Sequence, residues 1–352
     1  MKWMLAMAVL LPPTLAVADF VDFSYPYDDG HGEQSKQELR DPCIIREADT
    51  YYLVFTHFPF THHTSRDPAK PDLNSSPGIR LYSSKDLKAW RFEDWLVRSA
   101  ELPEDCPYKH RFWAPEIHRL GGRFFLVFTA DNWVKDEANP LGRIGAYAAF
   151  VGVADRITGP YRHITRLEGA GCDTSLFGDD DGKTYAVMPF RDIFLQEVDL
   201  SGIDEGRIRL TGTRRLIVAC SKGGAGGGAE PEYLEGPWLA KHEGKYVLFT
   251  AAPYRLPAGG HAPTSSGRDA GYWTGTAVAD RIEGPYHGEP KAFLGGHASA
   301  FTRPDASWWL AYRGESDGPG RGRLGLVPFS FDERGLPRFP RRDDSRPTPP
   351  SP

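Results

Sequence analysis

The sequence predicts an all-β chain folded as a five-bladed β-propeller, on the strength of two internal repeats and a turn-rich composition. The first repeat is a motif followed by a strand, a turn and an aromatic strand. It starts at positions 41, 113, 173, 235 and 297, which lie 72, 60, 62 and 62 residues apart. The second is Ala154-Asp155-Arg156-Ile157-Thr158-Gly159-Pro160-Tyr161, which returns as Ala279-Asp280-Arg281-Ile282-Glu283-Gly284-Pro285-Tyr286, 125 residues on and about two periods away. Among 352 residues the 38 Gly and 30 Pro favour many short strands joined by turns over long helices.

Each copy reads as a hairpin with Gly or Asp supplying its turn. Asp41-Pro42-Cys43-Ile44-Ile45 leads through Asp49 into Tyr51-Tyr52-Leu53-Val54-Phe55. Trp113-Ala114-Pro115-Glu116-Ile117 leads through Gly121-Gly122 into Phe124-Phe125-Leu126-Val127-Phe128. Asp173-Thr174-Ser175-Leu176-Phe177 turns at Asp181-Gly182 into Thr184-Tyr185-Ala186-Val187. Glu235-Gly236-Pro237-Trp238-Leu239 turns at Glu243-Gly244 into Tyr246-Val247-Leu248-Phe249. His297-Ala298-Ser299-Ala300-Phe301 passes Asp305 into Trp308-Trp309-Leu310-Ala311-Tyr312. A period near sixty holds four short strands, and one such sheet cannot bury both its faces alone. Blades therefore pack around an axis, using residues 37–340 with no room for a second domain.

The flanks read differently. Lys2, the apolar run 3–11, Pro12-Pro13 and the small-x-small stretch Ala16-Val17-Ala18 describe an export signal over residues 1–18, too short to span a bilayer. The mature chain is then expected to start near Asp19 and to be secreted or periplasmic. Residues 341–352, rich in Pro and charge, are expected to be disordered. A net charge of −5 without a basic stripe gives no support to nucleic-acid or anionic-membrane partners and suits a neutral substrate. The four cysteines, Cys43, Cys106, Cys172 and Cys220, lack C-x-x-C spacing and read as small buried hydrophobes, with disulfide pairing left open. The Gly-rich stretch 221–229 lacks the Gly-Lys-Ser/Thr ending of a phosphate loop. Asp179-Asp180-Asp181-Gly182 lacks the rest of a calcium loop and reads as a hairpin turn.

In a propeller, residues at one place in successive repeats ring one mouth of the central channel. Asp41, Trp113, Asp173, Glu235 and His297 head the five motifs, so three carboxylates, an indole and an imidazole converge there. A lone Asp before a strand is usually a turn residue; what lifts this set is its equivalence. Carboxylates held close push at least one pKa upward, and two acids with separated pKa values run acid–base chemistry near neutral pH. In glycoside hydrolysis one acid protonates the leaving oxygen while the other attacks or activates water. Trp113 suits the apolar face of a sugar, Arg313 a hydroxyl, and Phe58 in the loop-entry segment a further substrate contact. Glu230 and Glu232 compete with Glu235, but only Glu235 starts a strand with Gly-Pro behind it. Glu116 reads as structural. His57, His62, His63, His110 and His118 lack ligand spacing and read as loop or satisfied core residues.

Arg40-Asp41-Pro42, Trp113-Ala114-Pro115-Glu116, Cys172-Asp173-Thr174 followed by Asp179-Asp180-Asp181-Gly182-Lys183, and Glu235-Gly236-Pro237 resemble the signatures of glycoside hydrolase family 43. The resemblance runs in order along nearly the whole mature chain. It implies a five-bladed propeller and inverting hydrolysis of α-L-arabinofuranosides or β-D-xylosides, with a carbohydrate as the partner. It implies Asp41 as general base, Asp173 as pKa modulator, Glu235 as general acid and Trp113 in the subsite of the cleaved sugar. No cofactor is required by that chemistry, while a structural calcium ion on the axis, at the metal position His297, is also part of the resemblance. Two motifs depart from it: Cys172-Asp173-Thr174-Ser175 replaces the usual Asp-Pro, and Arg313 follows Tyr312 where a histidine is more usual. Competing readings are a related propeller enzyme acting on hexosides such as galactosides, and a carbohydrate-binding propeller without catalysis.

Overall fold

In the computed structural model of the chain, the described residues are 19–20, 38–58, 78–132, 145–220, 230–231, 233–255, 271–315 and 322–340. They form five antiparallel sheets whose strands follow one another in chain order. Blade 1 comprises Glu38–Glu47, Thr50–Phe58, Gly78–Ser84 and Arg91–Arg98. Blade 2 comprises His110–Leu120, Arg123–Asn132, Gly145–Ala154 and Arg162–Arg166. Blade 3 comprises Ser175–Gly178, Thr184–Phe190, Asp192–Gly202 and Arg207–Val218. Blade 4 comprises Glu235–His242, Lys245–Arg255, Gly271–Ala279 and His287–Leu294. Blade 5 comprises Gly296–Thr302, Trp308–Glu315 and Gly322–Phe331. The chain is a five-bladed β-propeller, as its repeats predict.

The innermost strand of each blade touches that of the next, and the fifth touches the first, so the ring is closed. Closure uses three devices. Asp19–Phe20 pairs with the strand Gly322–Phe331, giving the last blade its fourth strand from the opposite end of the chain. The Ser299 hydroxyl accepts from the Ile44 amide at 3.1 Å and donates to the Pro42 carbonyl at 3.0 Å, tying blade 5 to blade 1. Phe301 and Leu326 of blade 5 share a core with Ile44 and Leu53 of blade 1.

Side-chain alternation along a strand explains why every blade can pack on two neighbours. Leu53 faces blade 5 while Val54 joins Phe128 and Phe150 of blade 2. Leu126 likewise faces blade 1, and Val127 packs with Leu176 and Ala186 of blade 3. Val187 then meets Leu248 of blade 4, whose Val247 meets Leu310 and Val327 of blade 5. The unbroken apolar runs of the second strands are thus two half-faces read together, and five interblade cores replace one central core.

The second repeat forms the same turn twice: Tyr161 donates its hydroxyl to the Ile157 carbonyl, and Tyr286 to that of Ile282. The Asp179–Lys183 segment is the expected hairpin turn, closed by the Gly182 amide donating to the Asp179 carbonyl. All four cysteines are free thiols. Residues 1–18 and 341–352, read as export signal and tail, lie outside the described residues, as do 59–77, Glu232 and the Gly-rich 221–229. No helix among the described residues is long and apolar enough to cross a membrane.

Replacing Ser299 by Ala strands the buried Ile44 amide at the closing seam. An unsatisfied buried donor costs about 1–3 kcal/mol. The urea unfolding midpoint of Ser299→Ala is expected to fall accordingly; an unchanged midpoint would show that the seam does not depend on this hydroxyl.

Candidate active site

At one mouth of the channel, each blade enters its inner strand through a residue with left-handed backbone. These are Asp41 (φ 51°), Ala114 (43°), Asp173 (57°), Gly236 (50°) and His297 (48°). Asp, His and Gly are the types that tolerate this conformation best. In blades 1, 2, 4 and 5 the strand pairing slips at this same place, as in a β-bulge, which re-aims the neighbouring side chains. The preceding residues also correspond: Arg40 opposes Thr56, Trp113 opposes Thr129, Glu235 opposes Ala251 and Gly296 opposes Arg313.

The motif heads therefore occupy two tiers, not one. Asp41, Asp173 and His297 sit on the left-handed tier, with Ala114 and Gly236. Trp113 and Glu235 sit one residue earlier, level with Arg40, Cys172 and Gly296. Repeat spacing alone puts all five in one ring, because Ala114 and Gly236 carry no functional side chain to mark the true register.

His297 is the centre of the cluster. Its Nδ1 lies 3.1 Å from Asp41 Oδ1 and 3.9 Å from Asp173 Oδ2, with all three side chains nearly buried. Burial alone would strip the imidazole of its proton, but Asp41, Asp173 and Glu235 around it hold its pKa up at about 10. Burial also works against the charge of Asp41. The His297 cation and its hydrogen bond, then Thr56 and Arg40, prevail and hold that carboxyl at about 2. Asp173 moves the other way: burial raises it, His297 offsets part of this, and Asp41 raises it further. Glu235 is pushed up to about 7 by burial and then by the charge of Asp173, against the pull of His297 and a hydrogen bond from Tyr272.

Supporting groups come from several blades. The Thr56 hydroxyl accepts from the Ala114 amide at 2.6 Å, and the Thr129 hydroxyl from the Asp173 amide at 3.0 Å, so blade 1 pins the motif of blade 2 and blade 2 that of blade 3. Cys172 Sγ lies 3.1 Å from Asp173 Oδ1 and donates to it. A Cβ on Gly236 would come within 2.8 Å of the His297 ring, and one on Gly296 within 2.3 Å of the Tyr272 ring, so both positions exclude any side chain. Below the mouth, Glu116 and His118 pair at 2.8 Å, and His118 stacks on Trp238 at 5.1 Å.

Of the residues singled out by sequence, the structure brings Asp41, Asp173, Glu235 and His297 together. Trp113 is half-buried next to Ala114, and Arg313 is half-buried with its guanidinium 5.8 Å from the centre of the Tyr272 ring. Phe58 ends the second strand of blade 1, but its side chain lies outside the described residues. Sequence reasoning missed Tyr272, Cys172, Thr56 and Thr129. The two threonines had a signal: each directly follows a Val-Phe pair, Val54-Phe55 and Val127-Phe128. Tyr272 had none, since only the fold carries the third strand of blade 4 to Glu235.

A hard cation such as calcium takes six to eight oxygen ligands. Among the described residues no three His, Cys, Asp or Glu side chains are grouped to hold a metal, and His297 Nδ1 is engaged by Asp41. A calcium ion beside His297 would draw most of its ligands from water.

A closed five-bladed propeller with buried carboxylates around an imidazolium at one mouth defines the class of molecule. The sequence model of Glycosyl hydrolases family 43 matches residues 35–337, and the chain belongs to that family. It is 26% identical over 304 residues to Xylosidase/arabinosidase 43B of Humicola insolens, covering 77% of this chain and 46% of that protein. It is 29% identical over 229 residues to a Xylan 1,3-beta-xylosidase of a Vibrio species, covering 60% and 36%. The chain thus spans about half or less of the length of these relatives. Among solved structures, a thermostable family-43 glycoside hydrolase superposes with a TM-score of 0.63 at 22% identity, over 90% of this chain and 97% of that one.

Gly236→Ala is expected to push the His297 ring off Asp41. The ring's titration, followed by NMR, should fall from about 10 toward the ordinary histidine range. An unshifted titration would mean that Gly236 is not what seats the ring.

Proposed function

We propose that the protein is an inverting glycoside hydrolase releasing α-L-arabinofuranosyl or β-D-xylosyl units from plant-type polysaccharides or oligosaccharides. The observation that carries this reading is the separation of two buried acids, Asp41 held at about 2 and Glu235 at about 7, within one site. At neutral pH Asp41 is an anion able to take a proton, and Glu235 still carries one to give. Water attacks the anomeric carbon and passes a proton to Asp41. The bond to the leaving oxygen breaks as that oxygen takes the proton of Glu235. Attack from the face opposite the leaving group inverts the configuration. Asp173 acts through Glu235, its charge keeping the donor protonated, and Trp113 and Arg313 hold the sugar beside them.

The xylosidase and arabinosidase names of the relatives support pentosides as substrates. A relative named Beta-D-galactofuranosidase xynD, 23% identical over 270 residues, keeps hexosides as the second reading. Export fits the same reading: residues 1–18 form the leader, the propeller domain spans 19–340, and Asp19 begins the strand that completes blade 5. The protein then works in the periplasm or outside the cell, where such polymers occur. The hydrolysis itself needs no cofactor, and calcium on the axis would be structural.

Turnover on nitrophenyl α-L-arabinofuranoside and β-D-xyloside tests the reading. Asp41→Ala is expected to lose about three orders of magnitude or more in kcat/KM. Silence of the wild type on pentosides, hexosides and natural polymers alike would leave a binding propeller.

The pH profile has a definite sense. Asp41 must be ionised, so activity falls as pH drops toward about 2; Glu235 must be protonated, so activity falls as pH rises through about 7. Glu235→Ala should remove the alkaline limb and slow substrates with poor leaving groups far more than activated ones. Equal losses on both would argue against Glu235 as the donor.

A further inference from the structure

The turn that carries Asp173 into blade 3 is fixed on both flanks. The Thr174 hydroxyl donates to the Gly171 carbonyl at 2.8 Å and closes residues 171–174 on themselves. Thr174 stands where proline is more usual in the motif, and its hydroxyl does by hydrogen bonding what a proline ring does by covalent restraint. On the other flank the Asp173 amide donates to the Thr129 hydroxyl at 3.0 Å, from the second strand of blade 2. Both threonines are buried, Thr174 at 3% exposure and Thr129 at 1%. The backbone therefore holds Cys172 and Asp173 side by side at the corner of a rigid turn, with Asp173 itself left-handed.

A fixed backbone does not fix a carboxylate, which turns about its own terminal bond. Here its two oxygens face different groups. Oδ1 accepts from the Cys172 thiol at 3.1 Å, while Oδ2 lies 3.9 Å from the His297 Nδ1. The second distance is too long for a hydrogen bond. The thiol is thus the carboxylate's one side-chain hydrogen bond among the described residues.

The sulfur is suited to this and to little else. Burial, then the charges of Asp173 and Glu235, push its pKa well above the ordinary thiol range, so it keeps its proton and serves as a donor. Thr129 donates to the sulfur in turn, so one hydroxyl holds both the Asp173 backbone and the group that orients its side chain. A thiol is a weak donor. It can set the direction of the carboxylate while burial still keeps that carboxyl high.

We propose that Cys172 is a positioning residue for the hydrolysis, its thiol holding the Asp173 carboxylate in the orientation from which it acts on Glu235. The inference rests on the hydrolase reading and deepens it. The role runs through Asp173, so it concerns the delivery of the proton to the leaving oxygen and not the binding of the sugar.

Two aryl glycosides of the sugar that the wild type releases test this. The phenyl glycoside needs its leaving oxygen protonated; the dinitrophenyl glycoside departs without a proton. In Cys172→Ala, kcat on the phenyl glycoside is expected to fall about tenfold, the scale of one lost hydrogen bond to a charged group, with KM unchanged. On the dinitrophenyl glycoside kcat should stay near wild type. Cys172→Ser, which returns a donor to the same place, should recover most of the loss. Thermal midpoints close to wild type would exclude unfolding as the cause. Equal losses on both glycosides, no loss in Cys172→Ala, a raised KM with kcat intact, or a Cys172→Ser as slow as Cys172→Ala would each overturn the positioning role and leave the hydrolase reading standing. A wild type inert on both glycosides of every sugar would overturn both.

Discussion

The imidazolium of His297 is the interaction on which the site depends. Three carboxylates gathered in a buried mouth would repel one another and recapture protons. One cation 3.1 Å from Asp41 and 3.9 Å from Asp173 changes that balance unequally. Asp41 receives the hydrogen bond and is driven down, whereas Asp173, farther from the cation and facing Asp41, stays high. The unequal contacts, with Thr56 and Arg40 acting on Asp41 besides, turn like groups into unlike ones.

Geometry of this kind needs backbone that points side chains inward at the end of a strand. The left-handed residue and the register slip supply it once per blade, and the requirement filters the residue types. Asp, His and Gly fit the conformation, so catalytic and conformational demands fall on the same positions. Gly236 carries the other half of the bargain: its missing side chain is the space His297 fills. Closure matters for the same reason. The left-handed entries of blades 1 and 5 meet because Ser299, the Asp19–Phe20 strand and the core shared by Phe301 and Leu326 with Ile44 and Leu53 join the two blades.

Much of this was legible in the sequence, and the limits have physical causes. The period near sixty and the doubled apolar strands encode blades that pack on both faces, so the architecture followed directly. The convergence of Asp41, Asp173, Glu235 and His297 followed from their repeat positions. The one-residue offset of Trp113 and Glu235 did not, because a bulge changes register without changing composition. Tyr272 was invisible for another reason. Its partner Glu235 is distant in sequence, and a half-buried aromatic has no local pattern that separates it from a core residue. His297 is a metal position by resemblance, and the contacts of its Nδ1 are with Asp41 and Asp173.

The charges also constrain one another as a set. At neutral pH Asp41 and His297 form one anion–cation pair, and Asp173 and Glu235 lie in its field. Both are raised, and the charge of Asp173 opposes ionisation of Glu235. In the proposed mechanism the proton for the leaving group is therefore held on Glu235 partly by Asp173, and removing Asp173 would alter how Glu235 titrates. Arg40, one residue before Asp41, adds to the pull that keeps that carboxyl ionised. The blade that carries His297 beside Asp41 thus sets which carboxyl is held low and which is left high.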